Sequence, residues 1–470
     1  MTEGSVSRAG PASRSRLLPT LLVLSGPIIV SQFAQMANGV VDVVMAGNLG
    51  VLTLGAIAVG AAVWTPMMIF LLGLLYGMTP AIGARLGEGD PAGVAGIVLR
   101  GVVVGVLGGA LLGLALSAGC GPLFRAVGVA PELIPEATAY LQWVALALPG
   151  MGLFLAVRFT LEAHRAPAMV TVVIVVGVLA KIWLNDAFVH GHAGLPALGS
   201  AGFGAATAAV SWGMALALMG VTRTHGAVRY LWQRPPRIAE LSLARIVRFC
   251  LFGLPIALNF LSDYLVMGVV SVFIATIGAV AIGAHQIAFN ILMVMLMIPT
   301  GLSMAATILI SRSAGGSDRA SLRPLMAWTM GLAVVSSLAM AAGLAAFDAE
   351  VAGLYTQDPA VTALALDLLW VVALILTVDV VAIALGFFLR GLGDPGSPFL
   401  IQLGVHWLFS LPLGYALCFT DWIVAPLGPI GWWYGLSAGL IFTGLLMALR
   451  LRLRMAGSPV PAGAAHGAAE

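Results

Sequence analysis

Charged residues are scarce in this sequence. Asp, Glu, Lys and Arg make up only 9% of its 470 residues, whereas about 25% is usual in soluble domains. Hydrophobic residues account for 60%, so a large soluble protein is excluded and an integral membrane protein is expected. The apolar runs are about 20 residues long rather than about ten, which predicts membrane-spanning helices and not an outer-membrane barrel.

Several kinds of functional signature are also absent. Cys120, Cys250 and Cys418 lie far apart and form no CxxC pair, which argues against a disulfide framework or a zinc site. The sequence contains no HExxH, GxSxG or P-loop motif. We therefore expect no enzymatic activity, no cofactor and no ATP-driven step within this chain. The net charge of +3 is small and does not indicate nucleic-acid binding.

Twelve apolar spans can be counted between polar breaks. They cover approximately residues 17–46, 51–80, 95–118, 137–160, 167–189, 197–221, 246–275, 278–310, 322–347, 361–389, 396–418 and 428–450. Several exceed 25 residues, which permits tilt or kinks at prolines within the spans.

The distribution of arginine predicts how the helix bundle is oriented across the membrane. All but one of the arginines fall in the two termini and in alternate loops, at one side that we call the arginine-rich face. The opposite loops carry acids, with only Arg125 among them. By the positive-inside rule both termini are expected in the cytoplasm.

The two halves of the chain resemble each other. A shift of 228 residues superposes three prolines of the first half on three of the second, namely Pro27 on Pro255, Pro131 on Pro359 and Pro167 on Pro395. We predict an all-α membrane protein with two six-helix lobes in the same orientation, and a substrate path between them. The boundaries are an N-terminal tail 1–16, a lobe 17–221, a basic linker 222–245, a lobe 246–454 and a disordered tail 455–470.

Three acids fall well inside predicted spans: Asp42 in span 1, Asp263 in span 7 and Asp379 in span 10. An ionised carboxylate at the centre of a membrane helix costs at least about 2.5–3.5 kcal/mol, so such residues are candidate ion or substrate sites. Each lobe has at least one of them. Two carboxylates in one cavity either share a proton or bind a cation, so all three are candidate cation-coupling residues.

Lys181 is the only lysine in the chain and lies in the middle of span 5. One hypothesis is that its ammonium extends towards the cytoplasmic interface. The other is that it neutralises Asp42 inside the first lobe and is released when Asp42 is protonated. The sequence does not separate these two hypotheses.

Span 8 combines polar and methionine side chains. Gln286 and Asn290 lie one turn apart, as expected on a packed or water-lined interior face. Met293 and Met297 follow on the same span. Methionine stripes are more often adaptable packing, but in a cavity they would suit ligands of varied shape.

Other polar residues lie near the ends of spans. Glu162 follows Arg158 by four residues, and we expect them to pair at the cytoplasmic end of span 4. Asp186 is expected at a membrane interface. His190 and His192 fall in the loop after span 5, where we favour a structural role over metal binding.

Motifs in both halves resemble one transporter family. They are QFAQMANGVVDVVMAGNLG in span 1, LNDAFVHGHAGLPALGSAGFGAAT after Lys181, GLPIALNFLSD in span 7, GAHQIAFN in span 8 and VDVVAIALGFFLRGLGD in span 10. In order and spacing they resemble the NorM-type bacterial branch of the multidrug and toxic compound extrusion (MATE) transporters.

The resemblance implies a fold and an activity. The expected protein is a twelve-helix, two-lobed transporter of a bacterial inner membrane that exports organic cations and amphipathic drugs in exchange for H⁺ or Na⁺. By position Asp42, Asp263 and Asp379 match the acids of the family. The expected pocket-lining residues are Gln32, Lys181, Asn185, Thr207, Gln286, Asn290, Met293 and Met297. We expect a monomer.

Two departures from the family bear on the coupling ion. Ile375 stands one turn before Asp379, where some members carry a tyrosine that contacts the cation, and Lys181 stands where some have a neutral amide. Both favour protons over sodium. The alternatives are a flippase for lipid-linked precursors, which would need a basic central cavity, and a membrane-embedded transferase, which would need clustered acids.

Overall fold

The computed structural model describes residues 17–194, 196–233, 238–316 and 318–456. The predicted N-terminal tail and residues 457–470 lie outside this part of the chain, as do residues 234–237 of the predicted linker. The helices are α1 (Leu17–Leu49), α2 (Val51–Tyr76), α3 (Met78–Glu88), α4 (Pro91–Val127), α5 (Leu133–Ala163), α6 (Pro167–His190), α7 (Ala201–Thr224), α8 (Tyr230–Gln233), α9 (Leu243–Ala275), α10 (Ala279–Gly315), α11 (Leu322–Ala346), α12 (Asp348–Gly353), α13 (Pro359–Gly391), α14 (Gly396–Val405), α15 (Leu411–Phe419) and α16 (Pro429–Ala456).

Twelve helical segments of the described chain are long and apolar enough to cross a membrane, which confirms the predicted number. α2 and α3 together form one segment that is interrupted at Gly77. α14 and α15 form another, joined by a π-helical turn at His406–Ser410. The observed helices often extend beyond the predicted spans, because polar first and last turns continue past the apolar core that a hydropathy pattern detects.

The helix ends follow from local sequence. At the start of α4, Asp90 caps the helix by accepting a 2.9 Å hydrogen bond from the Gly93 amide, and Pro91 occupies the first turn. At its end Gly128 takes a left-handed conformation with φ 79°, which glycine adopts without steric cost. The predicted span 95–118 is therefore a helix of 37 residues.

The helices form two groups around two central helices. In the first half α5 packs against α4, α7 and α2. In the second half α13 packs against α10, α16 and α11. The α4–α5 contact is close, because a Cβ on Gly109 would lie 2.9 Å from Pro149 Cα. Small residues of this kind allow membrane helices to approach each other.

Among the residues that the structure describes, the two halves share a hydrophobic core only near the arginine-rich face. There one cluster joins residues such as Leu21 and Leu75 of the first half to Ile256 and Ile308 of the second. Towards the opposite face the buried clusters belong to one half each: one is formed by α1, α2, α4–α7 residues, and two by residues of α9 to α16. The bundle is therefore closed at its arginine-rich face.

Glycines permit this closure. A Cβ on Gly73 of α2 would lie 2.9 Å from the backbone nitrogen of Ala257 in α9. A Cβ on Gly301 of α10 would lie 3.1 Å from the backbone nitrogen of Ile29 in α1. Side chains at these positions would force the two halves apart.

A charged cluster lies at the arginine-rich face of the second half. Asp394, in the turn between α13 and α14, accepts 2.9 Å hydrogen bonds from Arg450 Nε and Arg454 Nε of α16 and from the hydroxyl of Ser397. Burial by itself raises the pKa of Asp394, but the hydrogen bonds from both arginines and from Ser397 hold the pKa below its ordinary value. This cluster ties the last helix to the α13–α14 turn.

Candidate functional site

Asp42 of α1 forms a buried charged cluster with α6. Lys181 Nζ lies 2.7 Å from Asp42 Oδ2, and Asn185 Nδ2 donates a 2.9 Å hydrogen bond to Asp42 Oδ1. The side chains of Lys181 and Asp42 are only 4% and 9% exposed. Lys181 and Asn185 are four residues apart and therefore face α1 from the same side of α6. Of the two hypotheses for Lys181, the ion pair is the one present in the structure.

Thr207, expected in the same pocket, is buried in α7. Its hydroxyl donates a 2.8 Å hydrogen bond to the carbonyl of Phe203 in its own helix. This bond satisfies the hydroxyl within α7, and the hydroxyl makes no hydrogen bond to Asp42 among the described residues.

Asp263 of α9 lies among polar side chains of the second half. Its side chain is 40% exposed, and Asp263 Oδ1 lies 3.5 Å from His406 Nδ1. Gln402 Nε2 of α14 is 3.4 Å from Asp263 Oδ2. Asp379 of α13 is half-buried and has His406 and Asp263 as its electrostatic neighbours. His406 therefore lies beside Asp263 and acts on Asp379 only through its electrostatic field.

His406 begins the π-helical turn between α14 and α15. Such turns widen a helix by one residue and occur often at functional sites. Neither His406 nor Gln402 was among the site residues expected from the sequence. A signal was available, because the two are polar residues one turn apart in an apolar predicted span.

A cavity of about 460 Å³ lies between the two halves. Three of the expected site residues line it, one from each of α1, α9 and α10: Gln32, Asp263 and Met297. The remaining lining residues are largely methionine, aromatic and aliphatic, with some polar groups: Gln35, Met36, Met68, Leu72, Tyr76, Arg158, Phe159, Phe260, Thr300, Met304, Ala382, Ile383, Gly386, Phe387, Arg390 and Gln402. This volume and composition are typical of small-molecule sites.

Arg158 holds the α1 wall of the cavity in place. Arg158 Nε donates to Glu162 Oε1 at 2.7 Å, and its Nη1 donates to Gln35 Oε1 at 2.8 Å. Its Nη2 is 3.3 Å from Gln32 Oε1. The pairing with Glu162 agrees with the sequence expectation, but the place differs. Both side chains are only 1% exposed and lie inside the protein rather than at a solvated helix end.

Arg390 takes a comparable place in the second half. It donates to Asn259 Oδ1 of α9, and its guanidinium lies 5.1 Å from the ring centre of Phe260 and 4.9 Å from that of Phe387. Arg158 and Arg390 were expected in loops from the sequence. Both are instead buried in helices, because hydrogen bonds and aromatic rings compensate the guanidinium there.

Tyr76 closes the cavity towards the arginine-rich face. Its ring meets Phe159 and Phe387 edge to face, with ring centres 5.3 and 5.7 Å apart. The three rings come from both halves of the chain, so the floor of the cavity depends on the contact between the halves.

Six expected pocket residues do not line this cavity: Lys181, Asn185, Thr207, Gln286, Asn290 and Met293. Gln286 and Asn290 are exposed side chains of α10, and Asn290 Oδ1 accepts a 2.8 Å hydrogen bond from the Tyr355 hydroxyl. Met293 packs against a hydrophobic cluster within the second half. The Asp42 cluster is also separate from the lining of the cavity.

Comparison with known proteins places these features in a family. The sequence pattern of the MatE family matches residues 27–185 and 255–416, which together cover more than half of the chain. The two matches begin at the prolines that the internal repeat superposes. The chain is also 32% identical over 445 residues to the multidrug resistance protein MdtK of Yersinia pestis, covering 92% of this chain and 94% of that protein.

Solved structures share the fold. The eukaryotic MATE transporter AtDTX14 superposes with a TM-score of 0.84 at 18% identity, covering 97% of this chain and 98% of that structure. The MATE transporter VcmN of Vibrio cholerae superposes with a TM-score of 0.84 at 19% identity, covering 94% of this chain and 98% of that structure.

Proposed function

This chain belongs to the multidrug and toxic compound extrusion (MATE) family, and on that premise we propose that it exports amphipathic organic cations by exchanging them for protons. A relative that covers almost the whole chain is named as a multidrug resistance protein. The observation that carries the proposal is the cavity between two lobes, closed at one face and lined by methionine, aromatic and carboxylate side chains.

The chemistry of the cavity favours a cationic, partly apolar ligand. Asp263 supplies a negative charge, while Phe260 and Phe387 supply aromatic faces. Met297 and Met304 supply flexible apolar surface that adapts to ligands of different shape. Most of the lining residues are apolar, so a broad range of substrates is expected.

The arginine-rich face is proposed to be cytoplasmic, with both termini on that side of a bacterial inner membrane. In that orientation the structure is outward-open, since the lobes share a core only at the arginine-rich face. Export then requires a second state in which the contacts around Gly73 and Gly301 separate and the outer halves close. We propose a monomer as the transporting unit, because the cavity and all three acids lie within one chain.

Proton coupling is proposed for the first lobe because Lys181 already occupies the cation position beside Asp42. Protonation of Asp42 would remove the attraction that holds Lys181, and the freed ammonium would disturb the α1–α6 contact. Sodium would have to displace a covalently attached ammonium from the same carboxylate.

The second lobe also favours protons. The neighbours of Asp263 are Gln402 Nε2 and the imidazole of His406, whereas hard cations prefer several oxygen ligands. Ile375, one turn before Asp379, is buried and apolar and offers no oxygen ligand. We propose that Asp263 and Asp379 take part in proton exchange, with His406 as the proton-accepting neighbour of Asp263.

Efflux assays test this proposal directly. Cells that lack their own pumps and express the protein should accumulate less ethidium, and this effect should be lost in Asp42→Asn, Asp263→Asn and Asp379→Asn. Glu350→Gln, at an exposed acid of α12, is the matched control and should export normally. Normal export by all three variants would contradict carboxylate coupling.

The coupling ion needs a second measurement. Inverted vesicles with an acidic lumen, in sodium-free buffer, should take up drug from the outside solution, and adding sodium should not increase the rate. Transport that appears only with sodium would overturn the proton assignment while leaving the export function intact.

A lipid flippase is the alternative suggested by the arginines of the cavity. Arg158 is neutralised by Glu162, but Arg390 has no carboxylate within ion-pair distance among the described residues. A diphosphate headgroup would use Arg390, whereas an organic cation would use Asp263. Competition of ethidium efflux by lipid-linked diphosphates, lost in Arg390→Gln, would favour the flippase.

A further inference from the structure

Three potential metal ligands meet at the end of α6 that is opposite the arginine-rich face. His192 Nδ1 lies 2.8 Å from Asp186 Oδ2, and His190 Nδ1 lies 3.0 Å from Asp186 Oδ1. One ligand atom from each of the three residues lies within 4.8 Å of the others. The two imidazole rings are stacked, with centres 5.5 Å apart.

The local backbone brings these side chains together. Asp186 and His190 are four residues apart in the last turns of α6, so they share one face of the helix. Gly191 then ends the helix in a left-handed conformation with φ 78°, and His192 begins a short 3₁₀ turn. A Cβ on Gly191 would meet Ala197 Cβ at 3.0 Å, so glycine also allows the return of the chain.

A small adjustment of the side chains would admit a single ion. Tetrahedral zinc binds imidazole nitrogen and carboxylate oxygen at about 2.0–2.2 Å, which puts neighbouring ligand atoms roughly 3.3–3.6 Å apart. The two oxygen–nitrogen distances of 2.8 and 3.0 Å are those of hydrogen bonds, so each histidine would move away from Asp186 by about 0.5 Å to coordinate the ion. One carboxylate facing two imidazoles is also the donor set that transition metals prefer over magnesium or calcium.

The three proposed ligands are exposed to solvent. The side chains of Asp186, His190 and His192 are 47%, 46% and 63% exposed. An ion arriving from solution therefore needs no opening of the bundle, and water can fill the remaining coordination positions.

We propose that Asp186, His190 and His192 bind one divalent transition-metal ion of the zinc, nickel or copper class. The ion links the last turn of α6 to the connection that leads into α7. α6 also carries Lys181 and Asn185, which bind Asp42 of α1. The ion therefore fixes the end of α6 that is opposite the arginine-rich face. The site is separate from the transport cavity and does not depend on the proposed export function.

Metal titration of the purified protein tests the site. The protein is prepared in detergent with any purification tag removed, stripped with EDTA and titrated with ZnCl₂ by calorimetry. We expect one ion per chain, and a loss of affinity greater than about tenfold in His190→Ala and in His192→Ala. His225→Ala, at a partly exposed histidine outside the cluster, is the control and should bind as the parent protein does.

A second readout reports where the ion binds. Trp183 is exposed and lies one turn before Asp186 on α6. Bound Cu²⁺ should quench its fluorescence, and Trp183→Phe should lose this quenching while the calorimetric binding is retained. Equal zinc affinity in the parent and His192→Ala proteins, or no one-to-one binding to the parent protein, would overturn the proposal.

Discussion

Removing one partner of the Asp42–Lys181 ion pair by mutation should strongly destabilise the protein. In Asp42→Asn the ammonium of Lys181, only 4% exposed, loses its 2.7 Å counter-ion. Asn185 keeps an acceptor, because the new amide still has a carbonyl oxygen. Leaving one partner of a buried ion pair uncompensated costs about 3–5 kcal/mol. We expect a loss of unfolding free energy of this size.

Removing both charges should recover most of that loss. In Asp42→Asn combined with Lys181→Met no buried charge is left uncompensated and Asn185 still has an amide oxygen as acceptor, so the double variant should be nearly as stable as the parent. Because each single variant leaves one charge uncompensated and the double variant leaves none, the double-mutant cycle should give a coupling energy of at least about 3 kcal/mol. The measurement is the free energy of unfolding in mixed micelles for the parent, both single variants and the double variant.

A second cycle provides the control. Asp263 lies in the other lobe, so Asp263→Asn and Lys181→Met should be additive within about 0.5 kcal/mol. The reasoning would be refuted if the Asp42 and Lys181 variants were additive as well. In that case the ion pair would contribute no net energy to the α1–α6 contact.

Three further predictions concern other parts of the molecule. Gly73→Val places side-chain atoms against the backbone of Ala257, so it should open the arginine-rich face and raise the labelling of a cysteine introduced beside it; unchanged labelling would contradict the packing argument. His406→Ala removes the imidazole that lies beside Asp263 and interacts electrostatically with Asp379, so it should slow ethidium efflux at least several-fold, whereas His225→Ala should not. His164, at the end of α5, has its pKa lowered to about 4 by burial. The neutral form of His164 is therefore favoured in the folded state, so the free energy of unfolding should fall as pH drops from about 6.5 to about 4. In pH-dependent thermal melts, His164→Gln should weaken this dependence on pH.

The sequence by itself determined the class of the protein and its repeat. The twelve apolar spans and the placement of arginines at one side are properties of single segments. In a bilayer each helix must form all the hydrogen bonds of its backbone by itself. The repeat was visible in Pro27 and Pro255, where the two family matches also begin. The cost of burying charge made Asp42 and Lys181 visible as isolated exceptions in apolar spans.

Only the tertiary structure decided which of these exceptions meet. Asp42 and Lys181 are 139 residues apart in sequence, and no helical periodicity relates residues on different helices. From hydropathy, Arg158 and Arg390 are expected in loops. Hydropathy cannot show that neighbouring helices supply Gln35 and Asn259 as hydrogen-bond partners for them. The same limit hid His406, whose imidazole matters only because α9 and α13 bring two acids near it.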